Sequence, residues 1–444
     1  MNAPEPLAFS RTRLTWQAYL TIAYYSYLLN ALGPLTPFLR QELNLTYTQA
    51  SFHFSAFALG IILMGFLTNW GVQHFGVRGM VWIGVFGMAL GCLLLIFGWA
   101  APVTVAGAFL MGFLGVTISA LFSSALAEQH GVWRGVALVE STMIASLFAT
   151  LSPVAVSFFA GTFLTWRAAL ALMLLGGGAL WLVYGKDPLG LPSAPSVGAH
   201  LCVRPGSTHS SPGSTPRSTP TDAGTLRKEA PGGLPAAYWL YWSLAFLAEA
   251  AEFCVTFWAA EYLETGIGFT RANAVLGVSI FMGAVLVGRW GVSRLLRRSQ
   301  EQHLLLNALF VALGGFLAFW LAPGGTLWGG ILALAGLLVT GLGIAGLFPM
   351  INSLALSSAP DRMIEASGRI SWAMGGSIFL MPLLLARLAD SFDIRAAYAV
   401  ELGLLLAAIG LLLVPTRSVG TPIGRSASST GYTTRSVGTR KIKK

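Results

Sequence analysis

The chain has 444 residues, of which 55% are hydrophobic and only 10% charged, and its mean hydropathy is +0.70. Soluble domains carry roughly 25% charged residues, so a water-soluble enzyme, a disordered protein and a disulfide-framed secreted scaffold are excluded. What remains is a polytopic membrane protein, and its net charge of +10, from 27 Lys and Arg against 17 Asp and Glu, needs an explanation by location.

In chain order, Met1 to Arg13 is short and polar, with Arg11 and Arg13 just ahead of the first apolar run. That run is too long for a signal-peptide core and lacks a small-residue cleavage pattern, so it is expected to stay as an anchor helix. A spanning helix needs about 20 apolar residues. Six such segments come first, at 15–38, 48–70, 78–99, 102–126, 136–161 and 166–185. Lys186 to Pro235 follows, rich in Ser, Thr, Pro and Gly, with Pro205-Gly206-Ser207-Thr208 repeated as Pro212-Gly213-Ser214-Thr215. Such a stretch buries nothing and reads as a flexible linker. Six more apolar segments lie at 237–262, 272–293, 303–322, 327–356, 363–388 and 395–414. Long apolar runs in lipid are helices because the backbone must satisfy its own polar groups, and the period-2 alternation of a membrane barrel is absent. Residues 416–444 form a basic tail, expected to be disordered, with attraction to anionic headgroups as the functional alternative. The predicted units are thus an N-tail (1–13), a six-helix bundle (14–185), a linker (186–235), a second six-helix bundle (236–415) and a C-tail (416–444).

Charge sets the orientation. With the N-terminus inside, 21 of the 27 cations fall on the cytoplasmic side and five outside, at Arg40, Arg167, Arg271, Arg387 and Arg395. The remaining cation, Arg289, lies near the inner end of the eighth helix. Cytoplasmic N- and C-termini follow from the excess of cations inside, and the basic excess calls for no nucleic acid. Cys92 and Cys254 lie in apolar runs and Cys202 in the linker, a pattern that reads neither as a disulfide frame nor as a metal site.

The two halves repeat. Gly60 matches Gly288, Gly115 matches Gly343 and Arg134 matches Arg362, all at an offset of 228, and Pro153 matches Pro382 at 229. Parallel six-helix repeats leave such traces. The fold class expected is all-α: a polytopic membrane protein of twelve transmembrane helices in two pseudo-symmetric six-helix bundles.

Specific residues add a resemblance. The loop between the second and third helices holds Gly65, Gly76 and Arg78 in the places of the Gly-x-x-x-Asp-Arg-x-Gly-Arg-Arg signature of the major facilitator superfamily. Asn69 stands for the acid, Trp70 for the Arg, and the loop is lengthened by inserted residues before Gly76. A lengthened form of this loop also resembles the fucose-permease-like sugar symporters. Gly33-Pro34-Leu35-Thr36-Pro37 and the Leu45 to Ala50 stretch look like uptake members of the superfamily. Ser152-Pro153 lacks the glycines of the antiporter pattern in the fifth helix. The resemblance spans residues 14–415. It implies alternating access around a central cavity lined by the first and seventh helices, with residence in the plasma (cell inner) membrane.

Charges within the bilayer are costly and are functional candidates by default. The seventh helix carries Glu249 and Glu252, three apart and so on one face. Desolvation and a like-charged neighbour favour the protonated form of a carboxyl, which suits proton coupling or substrate contact; a structural pair bonded to facing helices is the alternative. The first helix offers Tyr24, Tyr27 and Asn30 for the cavity, with Asn30 at a depth similar to Glu252. Tyrosine and asparagine are also ordinary interhelical glue. Asn69, Arg78, Arg134, Glu140, Arg289, Arg362 and Arg369, with Glu128 and Glu365, are read as a cytoplasmic gate of ion pairs between the halves, against ordinary snorkelling charges. His53 and Glu401 sit near outer helix ends, with His53 read as a satisfied interhelical group. Trp242 and Trp258 read as belt aromatics. Gly112, Gly115, Gly341, Gly343 and Gly346 read as close-packing residues.

The expected function is secondary transport of a small polar solute, a sugar, polyol or organic acid, by proton symport. Proton antiport is the alternative within the class, and a non-transporting receptor or scaffold the alternative outside it. Catalytic signatures are missing, so no enzyme activity, cofactor or metal is expected. The expected partners are the solute, a coupling ion that is first a proton, and the lipid bilayer, with the chain acting as a monomer.

Overall fold

The computed structural model describes residues 9–130, 133–187, 233–295, 301–359 and 362–413. Residues 1–8 of the N-tail, the C-tail, nearly all of the linker with Cys202, and the side chains of Asn69, Arg134 and Glu365 lie outside the described residues.

Twelve helical spans are present, and no strand occurs among the described residues. The first half holds α1 (Arg13–Leu43), α2 (47–75), α3 (77–97), α4 (Ala101–His130), α5 (Arg134–Ala160) and α6 (Arg167–Tyr184). The second holds α7 (Ala236–Tyr262), α8 (Arg271–Leu295), α9 (Glu301–Trp320), α10 (Leu327–Ser357), α11 (Met363–Ser391) and α12 (Ile394–Leu413). Among the described residues, eleven helices are long and apolar enough to cross a membrane. The remaining one, α1, is 31 residues long but diluted by polar residues and by Pro34 and Pro37. α2 and α3 form one helical run that reverses at Gly76 (φ 69°, ψ 166°). This is a backbone conformation that favours glycine, and it gives the Gly76 of the signature loop its reason.

Caps fix the ends. Thr12 with Thr15 and Thr46 with Gln49 form capping boxes at the starts of α1 and α2, satisfying backbone donors that have no partner inside the helix. α7 runs on through a π turn, Leu263–Ile267, and stops at Gly268 (φ 93°).

The repeat is visible in the packing. Gly60 of α2 lies against the backbone of Phe109 and Phe113 in α4, and Gly288 of α8 lies against Leu342 and Ala345 in α10. Gly115 meets Met88 of α3, and Gly343 meets Ala312 of α9. In lipid no hydrophobic force joins helices, so close backbone approach through small residues carries the packing. A Cβ at Gly112 would overlap the backbone of Phe57, and one at Gly341 that of Phe281. Pro153 and Pro382 sit inside α5 and α11.

Two belt readings divide. Trp258 is fully buried, donates to the Pro382 carbonyl (3.1 Å) and packs on Phe54 and Tyr47. It is a core residue rather than a belt residue, because its face of α7 is covered by both α2 and α11. Trp242 is half-buried and donates to the Arg369 carbonyl (2.8 Å). His53 is buried, with Nδ1 at 2.9 Å from the Ala50 carbonyl and Nε2 at 2.8 Å from Thr104 Oγ1 of α4. Its two ring nitrogens are thus both engaged, as an interhelical link.

Candidate functional site

The halves meet most tightly at the end where α1 and α7 finish, remote from residues 9 and 413. Gly33 of α1 lies against α7 so closely that a Cβ would overlap the Thr256 carbonyl. Phe54 of α2 stacks on Phe257 of α7, with ring centroids 4.1 Å apart. Arg40 of α1 pairs with Glu261 of α7, a residue 2% exposed, and its guanidinium lies 3.7 Å from the Tyr47 ring centre. Arg271 of α8 bonds both Glu264 (2.6 Å) and Gln41 of α1. Asp390, near the end of α11, accepts from the backbone N–H groups of Tyr47 and Thr48 at 2.7 and 2.8 Å. It places a carboxylate from one half on the positive N-terminal end of a helix of the other. Ser55 donates to the Phe379 carbonyl and Ser157 to the Ala272 carbonyl. Together these contacts make a seal.

At the opposite end, several charged residues read as a gate are bonded within their own half. Glu140 takes Arg11 (2.6 Å) and the Tyr19 hydroxyl (3.0 Å). Arg78 donates to the Gly185 carbonyl beyond the end of α6. Arg369 lies 5.5 Å from the Trp239 ring centre. Arg362 is the N-cap residue of α11, and Glu128 is exposed. Arg134 begins α5. In this conformation these contacts of Glu140, Arg78 and Arg369 bridge elements of one bundle, because the cation, carbonyl or ring that each one meets belongs to its own half.

Between the seal and that end lies a cavity of about 280 Å³, lined from both halves. From α1 come Ser26, Leu29 and Asn30, and from α5 Thr142 and Ser146. From α7 come Glu249, Glu252, Phe253 and Thr256, from α8 Arg289, from α10 Phe348 and from α11 Met374. Glu249 and Glu252 point the same way because three residues make nearly one helical turn. Arg289 donates to Glu252 (3.1 Å) and to Ser146 of the other half (3.2 Å). Glu249 is 6% exposed, and its carboxyl has no hydrogen bond among the described residues.

Glu249, Glu252 and Asn30 are therefore brought together. Tyr24 and Tyr27 are not: both are buried in the first half, with hydroxyls donating to the carbonyls of Val85 (3.4 Å) and Ala169 (3.1 Å). Their side chains leave α1 on the face away from α7, and Tyr24 instead lines an apolar groove of about 390 Å³ among α1, α5 and α6. Arg289, read as a gate residue, sits in the cavity instead: it is six residues short of the end of α8 and reaches inward to Glu252. Sequence reasoning passed over Glu261, Glu264 and Asp390. Arg40 and Arg271 were visible as outer cations, and pairing them with the nearest acids on the seventh helix was the signal available. Glu401 is fully buried, with neither carboxyl oxygen hydrogen-bonded among the described residues.

Comparison with known proteins agrees with this architecture. The sequence profile described as Major Facilitator Superfamily matches residues 18–365. No curated protein matches the chain. Among solved structures, a point mutant of the nucleoside transporter NupG superposes with a TM-score of 0.69 at 11% identity, over 90% of this chain and 99% of that one. The xylose transporter XylE from E. coli, in an inward open conformation, gives 0.67 at 15% identity over 90% and 96%. A bacterial homolog of the human lysosomal transporter Spinster, inward-facing and unoccupied, gives 0.64 at 13% identity over 91% and 95%.

Proposed function

The chain belongs to the Major Facilitator Superfamily, and from that premise we propose that it is a proton-coupled symporter of a small polar solute working by alternating access. The observation that carries the reading is Glu249: a carboxyl enclosed in the cavity between the halves, unbonded among the described residues, one turn from the Glu252–Arg289–Ser146 bridge. A scaffold has no need of an acid so costly to keep in a membrane. A carrier needs a group that takes and releases a proton as the cavity changes sides.

With the termini cytoplasmic, as the distribution of Lys and Arg suggests, the sealed end faces outward and this conformation is the inward-facing one. Arg40–Glu261, Arg271–Gln41 and Asp390 then form the outer gate. Closing the cytoplasmic end would bring α4 and α5 toward α10 and α11, where Arg134, Arg362 and Arg369, with Glu128 and Glu365, supply the opposite charges of the inner gate. Solute would reach Asn30 and Ser26 on one wall and the charged α7–α8 wall on the other, with the protein a monomer in the plasma membrane.

The test is reconstitution into proteoliposomes with an imposed pH gradient and a panel of sugars, polyols and organic acids. Accumulation of a solute driven by protons moving in the same direction supports symport. Accumulation against the proton flow makes the protein an antiporter, and no gradient-driven movement of any member overturns proton coupling.

A further inference from the structure

We propose that the solute is a small hydroxylated carboxylate, held by its carboxylate on Arg289 in place of Glu252 and by its hydroxyls on the α1–α5 wall. This rests on the transport reading of the same cavity. Three charged side chains line that cavity among the described residues: Glu249 and Glu252 from α7 and Arg289 from α8. The linings from α1, α5, α10 and α11 are polar or apolar without charge.

Arg289 is the most accessible of the three. Its side chain is 34% exposed, against 16% for Glu252. Its bonds are single and long, 3.1 Å to one Glu252 oxygen and 3.2 Å to Ser146, and its Nε–H has no partner among the described residues. A guanidinium presents five N–H donors in a planar fork that fits a carboxylate through two parallel bonds. The one-point pair with Glu252 uses that fork incompletely, and an entering carboxylate can use it fully. Opposite, Asn30 spends an N–H on the Ser26 carbonyl (2.8 Å) and Thr142 spends its hydroxyl proton on the Leu138 carbonyl (2.9 Å). Asn30 Oδ1 and Thr142 Oγ1 are left as acceptors for solute hydroxyls.

The charge balance then explains why a proton must accompany the solute. The empty cavity holds two carboxyl groups and one guanidinium. A solute carboxylate that takes the fork leaves Glu252 without its cation, and an unpaired charge in such a site is costly. One proton from the compartment that supplies the solute bonds to a carboxylate oxygen of the Glu249–Glu252 pair as the Glu252–Arg289 ion pair breaks. On release the O–H bond breaks, the proton leaves with the solute, and the ion pair re-forms. A neutral polyol would leave the pair intact and impose no such coupling.

The test uses matched triads that differ in one terminal group: gluconate, sorbitol and glucamine at six carbons, and threonate, threitol and 1-amino-1-deoxythreitol at four. Radiolabelled uptake into proteoliposomes is measured with the proton gradient running inward. The expected result is uptake of an acid exceeding that of its alcohol by about tenfold to a hundredfold, the worth of a charge-assisted hydrogen-bond pair. Arg289→Gln should remove the preference. Arg289→Lys, which keeps the charge but loses the fork, should fall between, with folding of both variants checked by thermal melting. Preference for the alcohol or the amine overturns the anion assignment and leaves the transport reading standing. Uptake of no member overturns the assignment too, and the transport reading is then decided by its own wider panel.

Discussion

The interface between the halves uses charge in two ways, at the seal and in the cavity about three helical turns below it. At the seal, Arg40 answers Glu261, Arg271 answers Glu264 and Gln41, and Asp390 caps the start of α2. In the cavity, Arg289 holds Glu252 by one long bond and Glu249 is held by none among the described residues. The same residue types appear in both places. What differs is how closely each charge is paired, although one Glu261 oxygen at the seal also has no hydrogen bond among the described residues. Close pairs hold two bundles in one arrangement, and loosely held charges are free to take a proton or a solute.

The largest test of this contrast removes the unsatisfied acid. Glu249→Gln should abolish gradient-driven accumulation while sparing solute exchange, and Glu252→Gln should do the same, both measured in proteoliposomes. Normal accumulation by both variants would collapse the distinction. Next comes the seal itself. Arg40→Ala strands the enclosed Glu261 carboxyl, a loss of about 3 kcal/mol for a broken buried pair. A Ser55→Cys reporter in the seal should then react roughly a hundredfold faster with a membrane-impermeant maleimide, and adding Glu261→Gln should restore slow labelling. Unchanged labelling in Arg40→Ala would show that the pair is not what holds the end shut.

Smaller effects follow from shape and dipole. Gly33→Ala puts a methyl group against the Thr256 carbonyl, an overpacking cost of about 1–3 kcal/mol. It should populate the opened seal in the same labelling assay. Asp390→Asn removes the charge from the helix dipole and leaves one acceptor oxygen for the two N–H groups of Tyr47 and Thr48, a loss of about 1–2 kcal/mol. The reporter rate should rise about tenfold, and a rise equal to that of Arg40→Ala would mean that the caps rather than the ion pairs dominate the seal.

Much of the frame was legible along the chain. The twelve spans, the break after Tyr184 and the repeat at an offset of 228 come from apolar runs and from glycines and prolines, whose physics is local. Asn30, Glu249 and Glu252 were also legible, since an acid inside an apolar run stands out and depth can be counted in residues. The direction of a side chain around its helix was not. Tyr27 and Tyr24 lie about two to three turns below Gly33 yet face Ala169 and Val85, while Gly33 faces α7. Trp258 looked like an interfacial aromatic by its position and is buried by α2 and α11.

Pairings across the halves were the least legible. Arg40 and Glu261 are 221 residues apart, and Tyr47 and Asp390 are 343. Each looks like a helix-end charge or a loop residue until the bundles are docked. Arg289 shows the same limit: its distance from the helix end suggested a gate, and the inward reach of its long side chain put it in the cavity.

The sequence by itself determined that the chain spans a membrane twelve times in two related halves, and that two acids lie on one face of the seventh helix, because hydrophobic length and helical period act within a segment. The docking of the helices against one another sets which end is shut, which charges are paired and that the Glu249 carboxyl has no hydrogen bond among the described residues. Those depend on contacts between segments hundreds of residues apart, and the cost of an unpaired charge in a low-dielectric interior gives them their weight.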